Sequence, residues 1–257
     1  MPDTRENENT AIPPGRSLRR RHCRWRCWGV RALGLLVLVG VLDAGRFFLW
    51  PDVSALARTA PEKTAFMTYR EAQWKDEGQK RTLTHRWVPL GRISSHLVLA
   101  VTIAEDDRFW AHDGFDLEGI EDAVRRNWEV GRLAAGGSTI SQQLAKNIYF
   151  SPEKSLLRKV REAIVTWRLE RELDKRRILE LYLNSVEWGE GIFGAEAASR
   201  HYFGKSAAAL SVYEAAGLAA ILPSPLTWRL SPPSRGVAKR IRIIERRMER
   251  RLGSGRS

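Results

Sequence analysis

Apolar residues return at helical spacing almost everywhere beyond Pro51, and this periodicity limits the possible folds more than any other feature of the chain. Leu157, Val160, Ile164 and Trp167 fall at i, i+3, i+7 and i+10. That spacing predicts a long amphipathic helix over Leu156–Leu173 with the stripe as its apolar face. Ser94–Ala104 is densely apolar through Leu97, Val98, Val101 and Ile103. Asp116 opens a further helix carrying Ile120, Val124 and Trp128, and Ser138 stands as N-cap of a segment running to Asn147. Ile178, Leu179, Tyr182 and Leu183 mark the next helix. Ser211 and Glu214 form a capping box before Ala215–Leu222, which Pro223 and Pro225 stop. Strand signals are confined to a weak extended stretch at His85–Pro89. The pattern predicts an all-α domain.

The chain has 257 residues, 43% of them hydrophobic, enough for one sizeable core with appendages. Its net charge of +13 gathers at the ends. Residues 1–31 hold eight arginines against three acids, and residues 229–257 hold ten basic residues against two acids. Nucleic acid is the reflex partner for such a charge. The first cluster, however, directly precedes Ala32–Leu42, eleven residues without a charge. A basic flank before an apolar run points to a membrane, with the N-terminus in the cytoplasm, rather than to nucleic acid. Arg31, Asp43 and Arg46 interrupt the run, so a span over 27–50 is short of the roughly 20 apolar residues a crossing requires. No Ala-x-Ala-like site follows, which favours an uncleaved anchor over a signal peptide.

Residues 1–18, polar and with adjacent prolines, are expected to be disordered. Both cysteines, Cys23 and Cys27, fall on the cytoplasmic side and are expected to remain thiols. The resulting division is a basic cytoplasmic tail (1–26), an anchor (27–50), a membrane-proximal linker and flap (51–93), a catalytic domain (94–228) and a basic C-terminal tail (229–257). The tail is read as a solvated or membrane-surface helix.

Chemistry concentrates in three motifs. Glu105 lies in AEDDRFWAHDGFD, Glu162 in RKVREA, and GGSTISQQLAKN runs between them from Gly136 to Asn147. Two carboxylates in one site can divide acid–base work when their surroundings push their pKa values apart. Glu105 ends a helix beside Asp106 and Asp107; the dipole and the like charges both predict a raised pKa, although a plain acidic turn would look the same. Glu162 has Arg158 at i−4 and Lys159 at i−3. These could pair on an exposed helix face, or present cations to a phosphate beside a standing negative charge. The paired glycines allow close backbone approach to a ligand, and the helix start after them offers free N–H groups to anions.

Together these motifs resemble the peptidoglycan glycosyltransferases, glycosyltransferase family 51, over roughly residues 66–225. The resemblance implies a lysozyme-like fold behind an N-terminal transmembrane helix, with Glu105 as general base and Glu162 as the second catalytic carboxylate. It implies substrate contacts from Asp106, Phe109, His112, Ser138, Thr139, Gln142, Gln143, Lys146, Asn147, Lys154, Arg158 and Lys159. Lys154 stands where the family more often has arginine, so charge is kept but bidentate geometry is lost.

The implied substrates are lipid II and a growing lipid-linked glycan chain. The implied place is the inner membrane, with the catalytic domain in the periplasm and penicillin-binding or division proteins as candidate partners. Phe66 and Met67 are expected in a membrane-dipping flap. No cofactor is obligatory, and a magnesium or manganese ion near Asp106 at the pyrophosphate is the candidate metal. A lytic muramidase of similar fold and a non-catalytic scaffold are the competing readings. The former would not need the cations; the latter would not need the glutamates. Ser151-Pro-Glu-Lys154 matches the S-x-x-K pattern of transpeptidases by chance, since no S-D-N or K-T-G partner follows.

Overall fold

The computed structural model describes residues 17–119, 121, 137–153 and 155–254. Residues 1–16 of the expected disordered stretch 1–18 fall outside them, whereas Ser17 and Leu18 are helical. Ile120, Val124 and Trp128 of the expected Asp116 helix, and Lys154, also fall outside them. The chain divides into two units, 1–45 and 46–257.

The first unit contains one helix, α1 (Ser17–Gly45). It starts ten residues before the expected anchor, because the arginine run is itself helix-forming, and it stops at Gly45 rather than Trp50. Among the described residues no helix is long and apolar enough to cross a membrane. Arg31 and Asp43 leave eleven uncharged residues between them, about 17 Å of helix. Those residues are nonetheless open: Leu33, Leu36 and Leu42 are 62%, 69% and 64% exposed.

The second unit is mostly helical, with α2 (Ala65–Asp76), α3 (Ser95–Glu105), α4 (Ile140–Tyr149), α5 (Leu156–Glu172) and α6 (Lys175–Ser185). After these come α7 (Ala195–Phe203), α8 (Val212–Ile221) and α9 (Arg235–Ser254). The all-α expectation needs one amendment. A small sheet joins β1 (Thr84–His85), β2 (Glu187–Gly189) and β3 (Ile192–Phe193) in the order β1-β3-β2, with β1 parallel to β3. The turn between β2 and β3 needs Gly191 twice over: its φ is +73°, and a Cβ there would lie 2.2 Å from the Trp74 ring.

α8 is buried at every position from Ala215 to Ile221, and its Ser211–Glu214 capping box forms as expected. A helix apolar on all sides belongs at the centre of a core. α3 and α9 both pack on it, and α3 touches α9 in turn. The basic C-terminal segment is therefore no tail. Val237, Ile241, Ile244 and Met248 recur at i, i+4, i+7 and i+11 and are buried at 0–3% exposure.

The linker and flap expectation also gives way. Thr64 caps α2, and Met67 and Trp74 are buried in the domain, so this segment packs as part of it. Arg70 of α2 forms a two-pronged pair with Glu187 of β2, both contacts at 2.9 Å and both side chains shielded.

On α5 three of the four residues of the predicted apolar stripe face outward. Leu157, Val160 and Trp167 are 37%, 51% and 45% exposed, Ile164 is half-buried against the core, and Glu162, Val165, Thr166 and Leu169 are buried.

Candidate active site

α3 is apolar at Leu97, Ala100, Val101 and Ile103, and burying these carries its C-terminal residue, Glu105, into the protein. The Glu105 side chain is 11% exposed. Its Oε2 accepts a hydrogen bond from Gln143 Nε2 at 3.0 Å, and its Oε1 accepts from Arg240 Nη2 at 3.1 Å. Arg240 also donates to the Ala104 carbonyl at 3.3 Å, capping the end of α3. Tyr182, fully buried, donates to Gln143 Oε1 at 3.0 Å. Burial raises the tyrosine pKa well above its ordinary value, so the phenol stays a donor and the Gln143 NH₂ is turned towards Glu105.

Burial pushes the Glu105 carboxyl above its ordinary value, against the opposing pulls of Gln143, Arg240 and Lys146. The direction matches the sequence expectation, but the cause differs. Neither acidic neighbour acts as a bare like charge. Asp107 is ion-paired with Arg247 at 2.6 Å and Arg251 at 2.7 Å, both from α9.

Asp106 has both oxygens engaged, one with His112 Nε2 at 2.9 Å and one with the Ile140 N–H at 2.9 Å. His112 Nδ1 accepts from the Gly114 N–H at 3.1 Å, which makes Nε2 the donor to Asp106. The loop after α3 is thereby bolted to the start of α4.

That start is capped by Thr139, not Ser138. Thr139 and Gln142 satisfy the capping-box spacing that Ser138 and Ser141 do not. The Thr139 hydroxyl also donates to the Gly114 carbonyl at 2.7 Å. Phe109 is fully buried, with the Lys175 ammonium 4.7 Å from its ring centroid. Asp106, Phe109, His112, Thr139 and Gln142, expected to touch substrate, thus form the frame that sets the site.

The second carboxylate comes from α5. Ser155 caps this helix, and Glu162 lies on its inner face, 2% exposed. Arg158 Nη1 stands 2.8 Å from Glu162 Oε1, and Lys159 Nζ 3.2 Å from Oε2. The exposed-face reading of this trio is therefore wrong for Glu162 and right only for Lys159. Lys159 Nζ also reaches Ser138 Oγ at 3.5 Å.

Lys146 of α4 lies 5.6 Å from the centroid of Phe66. Desolvation lowers its pKa; Arg158 and Lys159 add to the effect, and Glu162 and Glu105 oppose it. One lysine thus feels both glutamates. Asn147 is buried at 4% exposure on the same helix.

Among the described residues no group of three His, Cys, Asp or Glu side chains could hold a metal. Asp106, the residue expected near a divalent ion, has both carboxylate oxygens engaged by His112 and the Ile140 N–H.

Arg240 and Tyr182 were not anticipated as site residues. The signal for Arg240 was present, since it lies within the apolar period of α9.

A buried carboxylate of raised pKa and a second one held among cations, linked by a lysine that feels both, suit a group-transfer site with an anionic leaving group. A profile of the family described as Transglycosylase matches residues 72–249. Similar proteins carry the name biosynthetic peptidoglycan transglycosylase. That of Methylobacillus flagellatus is 45% identical over 84% of this chain and 94% of its own. That of Neisseria gonorrhoeae is 45% identical over 82% and 90%, and that of Thiobacillus denitrificans 47% over 88% and 95%. The chain belongs to the transglycosylase family.

Proposed function

We propose that this protein is a peptidoglycan glycosyltransferase that polymerises lipid II into glycan strands. The observation that carries this reading is Glu105, buried, raised in pKa and gripped by Gln143 and Arg240. Glu105 takes the proton from the 4-hydroxyl of the acceptor N-acetylglucosamine. The oxygen forms its bond to the donor anomeric carbon as the bond to the pyrophosphate oxygen breaks. Configuration inverts, and undecaprenyl pyrophosphate leaves with the bonding pair. Lys146, Arg158 and Lys159 face the developing phosphate charge, with Lys154 as a further candidate. Glu162 keeps Arg158 and Lys159 in place and supplies the standing negative charge that stabilises positive charge on the donor sugar. No step is routed through a metal.

α1 anchors the enzyme in the inner membrane, with its arginine flank in the cytoplasm and the second unit in the periplasm. The exposed leucines and valines of residues 33–42 support this. The outward stripe of α5, with Phe48, Leu49 and Trp50 at 52%, 86% and 62% exposure, rests against lipid. The basic C-terminal segment commits Arg240, Arg247 and Arg251 to ion pairs with Glu105 and Asp107, which argues against a nucleic-acid partner. Penicillin-binding or division proteins remain the candidate protein partners.

The test is a lipid II polymerisation assay with and without magnesium, beside an assay for solubilised cell wall. Glycan product from the native chain and a loss of about 10²–10⁴-fold in Glu105→Gln are expected. Wall solubilisation without lipid II consumption would make the protein a muramidase.

A further inference from the structure

Immediately after α1 in sequence, Arg46, Phe47 and Trp50 join Phe150, Arg158 and Arg161 in lining a cleft of about 420 Å³. We infer that this cleft binds the phosphodiester headgroup of an anionic membrane phospholipid, as a lipid site centred on Arg46 and Arg161 that adjoins the catalytic cations at Arg158. The inference rests on the membrane-bound reading for the source of the ligand only.

Charge makes the first argument. Three guanidiniums line the cleft against one carboxylate, that of Glu153. Guanidinium is the group that matches a phosphate in a two-pronged way. The cations are also held apart on aromatic faces. Arg46 lies 4.9 Å from the Phe47 centroid and 5.8 Å from that of Trp50, and Arg161 lies 5.6 Å from Phe47. Phe47 is in turn fixed from behind, where Arg168 donates to its carbonyl at 3.0 Å and to that of Pro51 at 2.7 Å.

Helix geometry sets Arg161 apart from the catalytic face, which the cleft meets at Arg158. At about 100° per residue, Arg161 lies roughly 160° around α5 from Lys159 and 100° from Glu162. Arg161 instead borders the outward stripe of Leu157, Val160 and Trp167, which are 37%, 51% and 45% exposed. An arginine at the margin of an exposed apolar stripe is the pattern of a helix lying in a lipid interface, its cation in the headgroup layer. Exposed Phe48, Leu49 and Trp50 extend that apolar surface beside the cleft, where acyl chains would lie.

The experiment uses the full chain in neutral detergent, titrated calorimetrically with dihexanoyl phosphatidylglycerol, dihexanoyl phosphatidylcholine and inorganic phosphate. Saturable binding of phosphatidylglycerol is expected, with the other two weak. Arg46→Gln, an exposed position, and Arg161→Gln should each weaken it about fivefold. Arg161→Lys should recover part of the loss, and Lys159→Gln should leave it unchanged, with circular dichroism confirming the fold. Equal binding of the two lipids, or indifference to Arg46→Gln, would overturn the site. So would loss in Lys159→Gln, which would put the anion on the catalytic face, or inorganic phosphate competing as well as the lipid. Polymerisation measured on the same samples separates the two readings. An active enzyme without lipid preference loses only this site, and an inactive one that keeps the preference loses only the glycosyltransferase assignment.

Discussion

Glu105 is addressed from three helices: Gln143 on α4, Arg240 on α9, and its own α3. Arg240 does not reach reacting atoms through its ion pair; it positions the base and draws its pKa down against burial. Arg240→Gln should therefore raise the Glu105 pKa further and move the acid limb of the kcat/KM profile to higher pH. Its alkaline plateau should fall much less than in Glu105→Gln, and a pH series on lipid II reads both. Burial has a second consequence, in stability. A carboxyl whose pKa is raised by folding stabilises the native state below its unfolded pKa, and that contribution is lost as pH rises through the folded value. Glu105→Gln should accordingly match or exceed the native melting temperature near pH 7.5 and show no such advantage near pH 4. The identity of the two glutamates was legible in the sequence because dense motifs surround them. The partners were not. Burial leaves no mark in a local pattern, nor does a contact made across 135 residues such as that of Arg240 with Glu105, and the double engagement of Asp106 by His112 and the Ile140 N–H is seen only once the chain is folded.

Helix α9 shows how charge can mask an element. Eight basic residues drew attention to its surface, yet its stability comes from the four apolar side chains on the other face. Ile241→Ala and Met248→Ala should each cost about 2–5 kcal/mol in urea unfolding. Arg250→Ala, which loses an exposed bond to the Arg246 carbonyl, should stay within about 0.5 kcal/mol. Element positions elsewhere were readable, since α3, α5 and α8 begin at caps and carry apolar periods. The orientation of α5 was not. Periodicity reports that a helix has an apolar face and says nothing of what covers it. Here Val165 and Leu169 fill the core, while the longer stripe of Leu157, Val160 and Trp167 stays open. The capping of α4 could have been read better, because Thr139 and Gln142 meet the spacing rule that Ser138 fails.

Across the whole molecule, segments far apart in sequence are joined by single well-shielded contacts. Arg70 and Glu187, 117 residues apart, tie α2 to the small sheet. Removing one partner leaves a shielded charge uncompensated, so Arg70→Ala should cost about 3–5 kcal/mol in chemical unfolding. The anchor has its own test. Carbonate-washed membranes should retain the full chain, and protease should reach the second unit only from the periplasmic side. The contact between Glu105 and Arg240 spans 135 residues. At elongation of about 5–20 residues per second, the carboxylate is made on the order of ten seconds before the guanidinium that seats it. A nascent chain cut or stalled in that interval carries the base without its clamp. The order of synthesis thus sets an order of assembly: the base is made first, and the helix that seats it follows.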